Sequence, residues 1–111
     1  MASALAVIPA GAQSRDVALL TLSAPIDPIS SRYILRGLER AANERVQLVI
    51  IALDTPGGLA VSMDAIVQSI LASVVPVAVY VSPAGARAAS AGVFVAMAAH
   101  VAAMAPGTNI G

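Results

Sequence analysis

The chain has no cysteine, no lysine and no tryptophan, and its 111 residues hold one histidine and three aromatic residues. Without cysteine there is no disulfide framework, no zinc finger and no thiol nucleophile. Six arginines balance six acidic residues, so the chain is formally neutral and lacks the basic excess of a nucleic-acid module. Charged residues make up only 11 % and hydrophobic ones 59 %, the opposite of a disordered tail. Much of that apolar content is alanine, 25 residues of it. The length allows one small domain or a piece of a larger one.

Two long stretches carry no charge. Between Asp64 and Arg87 the run is cut by Pro76 and Pro83, which suit strand ends better than a spanning helix. Residues 88–105 approach the ~20 needed to cross a bilayer, but they include Ser90, Gly92 and His100, and half of them are alanine. A buried α/β core explains both runs better than a membrane span.

Residues 1–12 are small and apolar and end in Ala10-Gly11-Ala12, an A-x-A pattern of the kind that precedes signal-peptidase cleavage. They read as a signal peptide cut short at its front, with a mature start near Gln13; a plain flexible N-terminus is the alternative. Residues 13–111 then form the domain.

Val17 to Leu22 reads as a buried strand, closed by Ala24-Pro25-Ile26-Asp27-Pro28. Ser30 or Ser31 is placed to cap a helix reaching Asn43, with Ile34, Leu35, Leu38, Ala41 and Ala42 inward and Arg32, Arg36 and Arg40 as a solvated stripe. Gln47 to Asp54 is a continuous aliphatic run, as in a central parallel strand covered on both faces. A helix is expected from Ala60 to Ala72, with Met63, Ile66, Val67, Ile70 and Leu71 on one face. A strand from Val74 to Val81, a loop to Ala89, a helix from Ser90 to Ala99 and a short strand from Val101 to Met104 complete the reading. The order β-α-β-α-β-α-β predicts an α/β fold built on a parallel sheet. The final residues, 105–111, read as a loop leading onward, so the domain is expected to be incomplete at its C-terminal side.

Ligands of open parallel sheets gather at the carboxyl ends of strands. Two loops there stand out. Asp54-Thr55-Pro56-Gly57-Gly58-Leu59 places two glycines where backbone N–H groups can approach an anion or oxyanion, or simply make a turn. Gly85-Ala86-Arg87-Ala88-Ala89-Ser90-Ala91-Gly92 sets one serine among small residues at a helix N-terminus, as a nucleophile or as an N-cap. No base partners it convincingly. His100 lies ten positions on, about 15 Å along a helix, and fits a structural role at the helix end. Asp54 is explained by hydrogen bonding to the glycine turn and Asp64 by the first turn of its helix. Phosphate loops, dinucleotide motifs and metal-ligand clusters do not occur.

Together, residues 54–59, Pro76-Val77 leading into Tyr80-Val81, residues 85–92 and Met104-Ala105-Pro106-Gly107-Thr108-Asn109-Ile110-Gly111 resemble the NfeD family. Its members are membrane-bound serine proteases of the ClpP/crotonase fold, related to signal peptide peptidase and found beside stomatin-like genes. The resemblance covers Val17 to Gly111 and implies a partial ClpP/crotonase-like fold. It implies that Ser90 is the nucleophile of a Ser–Lys dyad, with an oxyanion hole from the N–H groups of Gly57 or Gly58 and of Ala91. It also implies an extended hydrophobic polypeptide substrate from a stomatin-like partner, no cofactor or metal, and no nucleic acid. A homo-oligomer anchored in a membrane, with its protease domain on the extracytoplasmic side, is expected. The family's lysine lies beyond the last motif and is absent from these 111 residues, as are the transmembrane helices and small β-barrel. The fragment alone is therefore expected to be inactive. A crotonase-type acyl-CoA enzyme and a non-catalytic interaction module are the competing readings.

Overall fold

The computed structural model describes residues 15–111. The leader read into residues 1–12 lies outside them. In β1 (Val17–Ser23) Leu20 and Leu22 turn inward while Val17, Leu19 and Thr21 stay exposed, the period-two pattern of a strand covered on one face. Asp27, rather than Ser30 or Ser31, caps α1 (Pro28–Asn43). Its carboxylate accepts the Ser30 N–H at 2.8 Å and the Ser30 hydroxyl accepts the Asp27 N–H at 2.9 Å, a reciprocal capping box. The helix starts earlier than the serines suggest because Pro28 is favourable in the first turn, where its missing N–H is no loss.

On α1, Ile34, Leu38 and Ala41 are buried and Arg32, Arg36 and Arg40 are exposed, as the 3.6-residue period requires. Arg40 Nε lies 2.6 Å from Glu44 Oε2. That hydrogen bond, and then the carboxylate's charge, hold the guanidinium above its ordinary pKa. The Tyr33 hydroxyl accepts the Thr21 N–H at 3.1 Å and so occupies one donor on the outer edge of β1.

β2 (Leu48–Asp54) runs parallel to β1, Val17 facing Leu48 and Ser23 facing Asp54. Val49, Ile51 and Leu53 are fully buried, whereas Leu48, Ile50 and Ala52 are only half-buried. The expectation of cover on both faces is thus corrected. The core cluster joins the inward residues of β1 and β2 to the helices, and the opposite face leaves Leu19 64 % exposed. A continuous aliphatic run does not distinguish these two cases.

α2 (Ala60–Leu71) buries Ile66 and Ile70 and half-buries Met63 and Val67. Leu71, expected on the same face, is 63 % exposed because it stands one step, about 100°, round from Ile70. Asp64 is exposed in the second turn, so it does not serve the first. β3 (Val77–Val81) begins after Pro76, whose carbonyl accepts the Val49 N–H at 2.9 Å. β4 (Arg87–Ala88), α3 (Ala91–Ala98), β5 (Val101–Met104) and β6 (Asn109–Ile110) follow. The main sheet is parallel, in the order β1-β2-β3-β5, as the element order predicts.

The two short strands β4 and β6 were not legible as strands and pair in parallel with each other. Among the described residues no helix is long and apolar enough to cross a membrane.

Candidate active site

β2 and β3 deliver the two loops to the same end of the sheet. Beyond β2, Thr55 continues into a parallel bridge with Ala88, donating its N–H to the Arg87 carbonyl at 2.8 Å and accepting the Ala89 N–H at 3.1 Å. On the other side of β4, Asn109 N–H donates to Ala86 O at 3.1 Å and Gly111 N–H to Ala88 O at 3.0 Å. The segment leading into Ser90 is therefore held from both sides, by the first loop and by the last motif. Asp54 acts here too. Its Oδ1 accepts the Arg87 N–H at 3.2 Å, so it ties the two loops together instead of bracing its own glycine turn.

Ser90 stands at the N-terminus of α3 with φ 54° and ψ −117°. A side chain with Cβ rarely adopts this positive φ, and such strain costs of order 1–3 kcal/mol. The capping alternative predicts a hydrogen bond from a backbone N–H to the serine oxygen. None is present: the hydroxyl makes no cap bond and is exposed. Strain without a capping reward is the pattern of a side chain presented for reaction.

Gly57 packs directly on this serine. A Cβ added to it would lie 2.8 Å from Ser90 Cβ and 3.3 Å from Ser90 Oγ, and its φ of 110° is one that glycine favours. Both polar groups of Gly57 are occupied. Its N–H donates to Thr55 Oγ1 at 3.2 Å and its carbonyl accepts the Ile26 N–H at 2.8 Å. Gly58 and Ala91, by contrast, have N–H groups with no partner among the described residues. Gly58 also has to be glycine, since a Cβ would fall 2.0 Å from the Ile26 carbonyl oxygen.

Among the described residues no carboxylate or imidazole hydrogen-bonds the Ser90 hydroxyl. His100 Nδ1 accepts the Val77 N–H at 3.1 Å, joining the entry of β5 to the start of β3, which is the structural task expected of it. Among the described residues no group of three or more His, Asp or Glu stands together to hold a metal ion. An open groove of about 610 Å³ between α1 and α2, lined by Ser31, Arg32, Leu35, Arg36, Val61 and Ser62 among others, shares no residue with the two loops.

A family description, the NfeD1b N-terminal domain, matches residues 16–111. The chain belongs to the NfeD N-terminal domain family. Within the NfeD relatives, the membrane-bound protease PH1510 of Pyrococcus horikoshii is 54 % identical over 71 residues, covering 64 % of this chain and 16 % of its own. The membrane protein NfeD1b of Bacillus subtilis is 30 % identical over 102 residues, covering 92 % of this chain and 23 % of its own. The chain thus spans less than a quarter of the length of these relatives. A solved structure of the stomatin-specific protease 1510-N, in a serine-to-alanine form, superposes with TM-score 0.86 at 41 % identity over 90 % of this chain and 48 % of that one. A lysine-to-alanine form in complex with a substrate peptide gives TM-score 0.83 at 43 % identity, covering 86 % of this chain and 43 % of that one. ClpP1 of Listeria monocytogenes shares the fold, with TM-score 0.67 at 20 % identity over 73 % of this chain and 46 % of its own. The NfeD fold is thus a mixed α/β architecture with ClpP-like neighbours, and the Pyrococcus relative is a protease by name.

Thr55 is the residue that sequence reasoning passed over. It is 0 % exposed. The signal was its place two positions before a glycine, where a hydroxyl can accept the glycine's N–H.

Proposed function

We propose that this NfeD domain carries the nucleophile and oxyanion hole of a Ser–Lys serine endopeptidase. The observation that supports it most is Ser90, strained at φ 54° with an unbonded, exposed hydroxyl against Gly57. In this reading Ser90 Oγ attacks the scissile carbonyl carbon, and the carbonyl π pair moves onto its oxygen. The unpartnered N–H groups of Ala91 and Gly58 receive that oxyanion, assisted by the positive end of α3. Gly57 supplies close approach in place of a hydrogen bond, since its N–H is committed to Thr55. Collapse expels the amine, whose nitrogen takes up the proton held by the base, leaving an acyl-serine that water then hydrolyses.

The hydroxyl proton has to go to a base. Arginine stays protonated and there is no lysine here, so the reading assigns that role to a lysine outside these 111 residues. A lysine made neutral by burial suits it. Relatives solved with a serine or a lysine replaced by alanine, the latter holding a substrate peptide, accord with that pairing. The substrate is a hydrophobic polypeptide segment, in line with the stomatin specificity named for the Pyrococcus relative. A membrane-anchored homo-oligomer, with this domain on the extracytoplasmic side after loss of residues 1–12, completes the reading.

The test is a fluorophosphonate probe on the full-length protein. Labelling of Ser90, with peptide cleavage lost in Ser90→Ala, is expected. An unlabelled Ser90 in a folded full-length protein overturns the reading. The isolated 111 residues are expected to show negligible turnover.

A further inference from the structure

We propose that Thr55 is a positioning residue that sets the oxyanion hole against the nucleophile, using its hydroxyl on one partner and its methyl on the other. The proposal rests on the serine-protease reading above. Thr55 is fully buried, and its polar and apolar arms point to different elements. Oγ1 accepts the Gly57 N–H at 3.2 Å and lies 3.4 Å from the Gly57 carbonyl oxygen. Cγ2 lies against α3 so closely that a Cβ on Gly92 would come within 2.6 Å of it. The Thr55 backbone completes the link through its bridge to Ala88, two residues before Ser90.

The geometry has a directional consequence. The peptide between Gly57 and Gly58 is planar and trans, so the Gly58 N–H points opposite to the Gly57 carbonyl. Ile26 N–H and the Thr55 hydroxyl both engage that carbonyl. Together they turn the Gly58 N–H away from the Ile26 bridge and leave it unpaired. Without the Thr55 hydroxyl, Gly57 N–H loses its partner, and the Gly57–Gly58 peptide plane is held by the Ile26 N–H alone. Donors aimed at the oxyanion have to be held to within a fraction of an ångström, and a misplacement of about 1 Å can cost roughly a hundredfold in rate. The methyl sets the second coordinate, the distance of that loop from the start of α3, where Ser90 and Ala91 stand. Threonine carries both arms; valine keeps only the methyl arm and serine only the hydroxyl.

The experiment compares Thr55→Val and Thr55→Ser with wild type in the full-length protein. Thr55→Val is expected to lower kcat by about tenfold to a hundredfold with KM little changed. It should weaken a peptide aldehyde, whose hemiacetal oxygen mimics the oxyanion, by a similar factor. Thr55→Ser is expected to recover most of kcat. Amide hydrogen exchange supplies a readout independent of turnover: the Gly57 N–H should exchange faster in Thr55→Val and stay protected in Thr55→Ser. A Thr55→Val enzyme with wild-type kcat, aldehyde affinity and Gly57 protection overturns the proposal. A change confined to thermal stability, with kcat and aldehyde affinity intact, also overturns it, because that is what a purely structural threonine would give. If wild type neither cleaves peptide nor labels at Ser90, it is the protease reading that fails, and the exchange result still reports on the Thr55–Gly57 bond.

Discussion

Gly57 lies against Ser90 with no room for a side chain between them: a Cβ on Gly57 would sit 2.8 Å from Ser90 Cβ. The contact joins two loops more than thirty residues apart, and it makes the identity of one residue a condition for the exposure of the other. Gly57→Ala has to move Ser90 or distort a backbone held at φ 110°. We expect a loss of about 1–3 kcal/mol and at least a hundredfold slower labelling of Ser90. Thermal unfolding and probe kinetics on the full-length protein check both, and unchanged labelling would refute it.

Ser90 itself stores strain. Replacing it by glycine removes the Cβ that disfavours φ 54°, whereas alanine keeps it. Ser90→Gly is expected to abolish peptide cleavage and to stabilise the fold by about 1 kcal/mol relative to Ser90→Ala, after the glycine's own entropy cost. Denaturant unfolding of the two variants decides the sign.

Two helical glycines should respond differently to the same change. In Gly37→Ala the new Cβ meets the branched end of Leu20, at 2.6 Å, which can turn aside, and the gain in helix propensity of roughly 1 kcal/mol offsets the push. In Gly92→Ala it meets Thr55 Cγ2 at 2.6 Å, on a short side chain fixed by its bond to Gly57. We expect Gly37→Ala to be within about 0.5 kcal/mol of wild type and Gly92→Ala to lose about 1–3 kcal/mol. Equal midpoints in urea would contradict the difference.

Asp27 caps α1 through its carboxylate. Asp27→Ala should cost about 1 kcal/mol and Asp27→Asn a few tenths, because asparagine still offers the Ser30 N–H an acceptor. Chemical denaturation measures both; a neutral Asp27→Ala would mean that Pro28 alone suffices to start the helix.

The order of strands and helices was legible because burial leaves different marks on each: short aliphatic runs in β1 and β2, and a 3.6-residue period in α1. The loops were legible as chemistry only together, through the family resemblance of their combined motifs, because each one alone reads equally as an ordinary turn or cap. The details that failed were those where neighbours in space outweigh neighbours in sequence. Asp54 bonds to Arg87 across the loops instead of to its own turn, and Asp27 outcompetes the two serines because Pro28 moves the helix start.

Composition and spacing alone thus determined the parallel α/β architecture and singled out Ser90 as the candidate serine. Only the tertiary structure decided which glycine N–H is left unpaired, that Ser90 is strained and uncapped, and that Thr55 holds both loops. Those outcomes depend on φ at single residues and on contacts over more than thirty positions. No local period records them, since the same short motifs also make ordinary turns and caps.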